Sequence, residues 1–83
     1  MNRAKVYEYI DDERSRQSEK WGGVHRWGTG DCSSLAVRDP VKVMVLLEEV
    51  GEVARAVLDG ERGQLERELV QVAAVAVAWL ESM

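Results

Sequence analysis

Leu46-Leu47-Glu48-Glu49-Val50-Gly51-Glu52-Val53, and its counterpart further along, Glu68-Leu69-Val70-Gln71, decide how this chain reads. Three carboxylates fall within five positions of an otherwise apolar run. At about 100° per residue, Glu48 and Glu52 share one face of a helix, one turn apart, with Glu49 on its shoulder. Like charges at this spacing repel and weaken an isolated helix. A divalent cation would turn that cost into a gain, so this stretch reads as a metal-carrying helix.

The apolar positions around the carboxylates are Val43, Leu46, Leu47, Val50, Ala54, Val57 and Leu58, which recur with the helical period as a core stripe. Asp39 as cap and Pro40 at the first helical position start this helix, and Gly60 stops it after Leu58 or Asp59. Arg55 lies on the carboxylate face, placed to pair with Glu52 or with a ligand phosphate. Gly60-Glu61-Arg62-Gly63 then forms a short turn between antiparallel helices. The next helix covers roughly residues 64–82. Leu65, Leu69, Val72, Ala76 and Leu80 make one face, and Val70, Ala73, Ala74, Val77 and Ala78 fill most of the rest. A helix apolar nearly all round must be buried nearly all round. Two other helices can hardly surround it, so the helical hairpin is expected to form a four-helix bundle with a second subunit, with Trp79 at the interface.

Upstream, residues 3–20 read as a helix capped by Asn2. Val6 and Ile10 anchor it, and its second half is almost wholly polar, with pairs such as Asp12–Arg16 available. Arg14, Gln17 and Lys20 either face a polar ligand or are simply solvated. Residues 21–39 form a long irregular stretch with four glycines within nine positions. Loops of this length are usually functional or disordered. Trp21, His25, Arg26 and Trp27 make it aromatic and basic. Its tryptophans either fold onto the core or cover a planar ligand such as a nucleobase, with Arg26 near phosphate. Leu35-Ala36-Val37 reads as a helical turn. The fold class is therefore all-α: three helices, with a long loop between the first and second, in one domain spanning residues 1–83.

The totals agree. Eighty-three residues bury a modest core, which a metal or oligomerisation would help. The chain is 46% hydrophobic and 31% charged, a globular balance. A net charge of −4 argues against a nucleic-acid partner. No apolar run is long enough to span a bilayer, the N-terminus does not read as a signal peptide, and the single Cys32 fits a reducing cytoplasm. Cys32 has no second cysteine or clustered histidine, which disfavours zinc. In a hairpin turning at 60–63, Glu52 and Glu68 come to comparable heights, so Glu48, Glu49, Glu52 and Glu68 can converge. Hard oxygen donors without His or Cys suit magnesium or manganese, and magnesium usually binds together with substrate phosphates. A metal-bound water attacking phosphorus is the chemistry this set allows.

Glu48-Glu49-x-x-Glu52 followed by Glu68-x-x-Gln71 resembles the EExxE…ExxD signature of the MazG-like all-α nucleoside triphosphate pyrophosphohydrolases. Glu13-Arg14-x-x-Gln17-x-x-Lys20-Trp21-Gly22 is similar to that family's first helix. The stretches Leu47–Ala56 and Glu68–Ala76 are similar to its second and third. Together they cover most of the chain except residues 23–42. The resemblance implies hydrolysis of a nucleoside triphosphate, often a deoxynucleotide, to monophosphate and pyrophosphate in nucleotide-pool housecleaning. It implies magnesium on Glu48, Glu49, Glu52 and Glu68, and homodimers or homotetramers with sites at subunit interfaces. It favours Gln17 and Trp21, then His25 and Trp27, against the base. Lys20, Arg14 and Arg55 become candidates on the phosphate side. The family's aspartate is Gln71 here, a ligand without negative charge, which bears on metal affinity and number. Many relatives continue into a further helix beyond the position of Met83, so the expectation is either a site completed by a partner subunit or a weakened one. The alternative is a non-catalytic helical oligomer that binds nucleotide or protein through the same acidic surface.

Overall fold

The computed structural model describes all residues, 1–83. Three helices carry the fold: α1 (Arg3–Trp21), α2 (Asp39–Leu58) and α3 (Arg62–Glu81). Between α1 and α2 a two-residue hairpin, β1 (Val24–His25) and β2 (Gly28–Thr29), pairs antiparallel with Val24 opposite Thr29. The expected irregular loop thus contains a short ordered ribbon. No helix is long and apolar enough to cross a membrane.

The helix ends follow local chemistry. The Asn2 side chain accepts from the Lys5 amide at 2.9 Å and caps α1. Gly60, at φ +69, ends α2 in the left-handed region. The start of α2 departs from expectation. Its N-cap is Arg38, without a side-chain cap bond, and Asp39 is already helical. Asp39 instead accepts the indole N–H of Trp79 at 3.0 Å. Trp79, expected at a subunit interface, is thus half-buried and tied within its own chain. Beside it Lys42 is buried, and its Nζ donates to Ser82 Oγ at 2.7 Å. The ammonium lies against the carbonyl end of α3, where the helix dipole favours a cation. These two bonds tie the first turn of α2 to the last turn of α3.

Helix α3 packs against both α2 and α1. The fully enclosed apolar residues are small: Cys32, Val37, Ala56, Ala74, Val75 and Ala78. The small side chains let the helices approach closely, but no large one is wholly buried. The expected core stripe of α2 divides. Of its residues only Leu46 turns inward, whereas Val43, Leu47, Val50, Ala54, Val57 and Leu58 are exposed. The inward positions of α2 are instead Val41, Lys42, Val45, Glu49, Val53 and Ala56, because packing on α3 and the loop selects the neighbouring face. Leu47 is 63% and Val57 59% accessible. On α3, Leu69 (51%) and Leu80 (67%) are likewise open to solvent. The accessible surface is 5907 Å². A folded monomer of 9.3 kDa should expose about 5,000 Å². The excess is about 900 Å², and Leu47, Val57, Leu69 and Leu80 are among the side chains that contribute to the exposed surface.

The hairpin is held in place by glycine. Gly28 has φ +135, and a Cβ there would lie 2.4 Å from the Ala36 carbonyl oxygen. Gly28→Ala is therefore expected to cost about 2–3 kcal/mol, from backbone strain and the clash together. A chemical-denaturation midpoint unchanged from wild type would refute that close approach.

Candidate functional site

One open cavity of about 680 Å³ runs between α1, the loop, α2 and α3. Its aromatic end is formed by Trp21, His25 and Trp27. The Trp21 and His25 rings meet edge-on with centroids 6.0 Å apart, and Trp27 lies 6.3 Å from His25. Lys20 Nζ sits 5.4 Å from the centroid of Trp21, a cation–π contact. Val37, Val41, Val45 and Val75, with Cys32, form the apolar floor. Glu13, Glu48, Glu49 and Gln71 line its acidic part.

His25 builds the ribbon. Its Nε2 lies 2.6 Å from the Gly30 carbonyl oxygen, and its Nδ1 accepts the Trp27 amide at 3.3 Å. This pair of contacts requires the neutral ring protonated on Nε2. Both ring nitrogens are therefore committed to shaping the loop.

The loop is tied down by Arg14, which is buried. Its guanidinium donates to both oxygens of Glu81, at 2.9 and 3.1 Å, and to Asp31 at 2.9 Å. A further donation, at 3.3 Å, reaches the Gln17 amide oxygen. Arg14 joins α1, the loop and the end of α3. Its hydrogen bonds to Glu81 and Asp31 hold its pKa above the usual arginine value despite desolvation. Burial by itself would raise the Asp31 carboxyl. Hydrogen bonds from the Ser33 hydroxyl and amide, from Arg14 and from Ser18 outweigh it and bring the pKa down to about 2.

Across the α2–α3 hairpin, Gln71 bridges two carboxylates. Oriented by the surrounding acceptors, its amide nitrogen donates to Glu49 at 2.7 Å and to Glu68 at 3.3 Å. Glu68 is buried and also accepts from the Gln64 amide. Burial first, then the charges of Glu68, Glu48, Glu52 and Glu13, push the Glu49 carboxyl up.

The expected site residues thus divide. Gln17, Lys20, Trp21, Trp27, Glu48, Glu49 and Gln71 line one cavity. Glu68 lies behind Gln71, and Glu52 is exposed beside the cavity rather than in its wall. No three acidic, histidine or cysteine side chains are gathered closely enough to hold a metal as they stand. Arg14 is spent on Asp31 and Glu81. Arg55 is exposed and pairs with Asp59 at 3.8 Å, away from both Glu52 and the cavity. Arg26 lies over Trp27, 5.0 Å from its centroid, outside the lining. Arg16 pairs with Glu13 at 2.9 Å rather than with Asp12.

Glu13 and its partner Arg16 line the cavity and were not singled out as site residues from the sequence. The signal was present: Glu13, Gln17 and Lys20 are spaced by four and three, a truer helix face than Arg14, Gln17 and Lys20. Nothing in the sequence marked Asp31 or Cys32, because their places depend on how the loop folds back.

No protein-family profile, curated protein or solved structure matches the chain.

Proposed function

We propose that this chain is a magnesium-dependent nucleoside triphosphate pyrophosphohydrolase, converting a (d)NTP and water to (d)NMP and pyrophosphate in nucleotide-pool housecleaning. The observation that carries this reading is the single cavity that joins an aromatic and basic end to a carboxylate wall. The resemblance of the acidic and first-helix motifs to the MazG-like group supports it. Trp21 and Trp27 provide faces for a base, and Lys20 supplies positive charge for phosphate. Glu48 and Glu49, with Glu52 one turn along the same helix and Glu68 brought near by Gln71, offer hard oxygen donors that fit magnesium or manganese. The raised Glu49 carboxyl marks a place where added positive charge is favourable. Magnesium there would polarise the phosphate and lower the pKa of a bound water. Gln71 keeps Glu49 and Glu68 near one another without supplying negative charge.

The reading includes a homodimer, or a tetramer built from it. Val43, Leu47, Val50, Ala54 and Val57 recur by alternating steps of four and three, the spacing of an interhelical seam. The surplus surface of about 900 Å² is close to one partner's share of a standard interface, about 800 Å². A second copy covering this face would complete a four-helix bundle. Leu47→Lys is expected to turn a dimer into a monomer in analytical ultracentrifugation, and a wild-type monomer at high micromolar concentration would rule the dimer out. A cytoplasmic setting, which keeps the lone Cys32 reduced, belongs to the same proposal.

The test is incubation with a panel of NTPs and dNTPs plus magnesium, with pyrophosphate as the readout. No release from any nucleotide would overturn the reading. A second reading is favoured by one observation, the Gln71 bridge, which holds two carboxylates together without a cation. In that reading the chain is a nucleotide-binding module without turnover. Nucleotide-dependent thermal stabilisation without pyrophosphate release selects it.

A further inference from the structure

At the aromatic end of the cavity the acceptors Asp31 and His25 are engaged by the chain itself, while the Gln17 NH2 group and the Lys20 ammonium have no hydrogen-bond acceptor. Asp31 accepts from Arg14, Ser18 and Ser33. His25 Nδ1 accepts the Trp27 amide, and its Nε2 proton goes to Gly30. Gln17 lines the cavity, but its amide oxygen is turned to Arg14 Nη1 at 3.3 Å. That contact sets the orientation of the amide, because a guanidinium has no acceptor and can only face the oxygen. The Gln17 NH2 group has no partner within the chain and is left to meet a ligand in the cavity that Lys20 also lines.

A glutamine reads adenine by using both amide atoms, donating to N7 while accepting from the N6 amino group. With its oxygen turned toward Arg14, Gln17 presents the donating half of that pair to the cavity. An exocyclic amino group brought here would face another donor. A ring carbonyl would accept from Gln17. We infer that the pocket selects a base presenting a carbonyl edge over one presenting an amino edge, with Gln17 as the reading residue and Arg14 as its positioning residue. The inference rests on the nucleotide-binding part of the proposed function and names the ligand class for that cavity.

Two purine monophosphates isolate the edge: deoxyinosine monophosphate carries oxygen at C6, and deoxyadenosine monophosphate carries an amino group. Both are titrated without metal, with quenching of tryptophan fluorescence as the readout. Deoxyinosine monophosphate is expected to bind about tenfold tighter, the effect of a made hydrogen bond against a donor–donor clash. Gln17→Glu keeps the partner of Arg14 and replaces the free NH2 with an acceptor oxygen, so the preference should vanish or reverse. Arg14→Lys should bring the ratio toward one, a change that general loosening of the fold would not produce if the affinity for both ligands merely fell together. Equal wild-type affinities, a preference for the amino purine, a ratio unmoved in Gln17→Glu, or no saturable quenching by either nucleotide at millimolar concentration would overturn the inference. Selective binding with no pyrophosphate release in the nucleotide panel would leave it standing while removing the enzyme reading. Release with no base selectivity would do the opposite.

Discussion

Glu49→Gln is expected to cut magnesium-dependent pyrophosphate release by at least about a hundredfold, while raising the melting temperature of the metal-free protein. Both effects come from one charge. The Glu49 carboxyl is pushed up by its burial and then by Glu68, Glu48, Glu52 and Glu13. Its ionised form is therefore unfavourable in the folded chain. An acid whose folded pKa exceeds its unfolded value opposes folding when ionised. That opposition weakens as pH falls through the folded pKa, and it vanishes below the unfolded value of about 4.3. Glutamine removes it at every pH and still accepts from Gln71. Removal of that opposition is expected to show as a higher melting temperature in a thermal melt without magnesium. The same substitution removes a charged oxygen from the acidic wall, so magnesium should no longer stabilise the protein. Unchanged pyrophosphate release, or a lower melting temperature without metal, would separate Glu49 from the role assigned to it.

Arg14→Met should remove a large share of the stability of the fold. The side chain keeps its apolar stem but leaves Asp31, whose side chain is 7% exposed, as a buried carboxylate without its cation. Breaking a buried pair from one side costs about 3–5 kcal/mol. A chain of this length has about 4–12 kcal/mol in total. Urea denaturation followed by circular dichroism measures the loss, and Arg14→Met with Asp31→Asn should recover part of it. A loss below about 1 kcal/mol would mean that the network does not hold the loop. The acid limb of wild-type stability reports on the same contact. Asp31 has a folded pKa of about 2, below its unfolded value of about 3.9. Its contribution is complete above the unfolded value and is lost as pH falls toward 2. The Arg14→Met variant should have a flatter acid limb, since the arginine helps keep Asp31 ionised.

Much of the helical framework was legible because its signals are local. Asn2 and Gly60 marked helix ends through caps that involve only neighbours in sequence. The apolar period of α2 and α3 placed the hairpin, and Gln17, Lys20 and Trp21 sat on or beside a face that the cavity uses. The start of α2 was less legible. Asp39 has the chemistry of a cap, but a longer-range donor, Trp79, takes its carboxylate. The carboxylates show the same limit. Spacing put Glu48 and Glu52 on one face, yet only Glu48 and Glu49 reach the cavity wall, because packing on α3 fixes which part of that face turns inward.

The sequence by itself determined the helices, their order and the acidic patch, since periodicity and capping act over a few residues. Only the tertiary structure decided what the polar side chains do. Arg14, Asp31 and Glu81 are distant along the chain, and their contact diverts to the scaffold an arginine that local reasoning would give to a phosphate. Gln71 stands where a metal ligand was expected, but Glu49 and Glu68 close around it and make it a donor. A buried polar group takes whichever partner the fold brings within hydrogen-bonding distance. That distance is set by packing among helices, which sequence spacing alone does not encode.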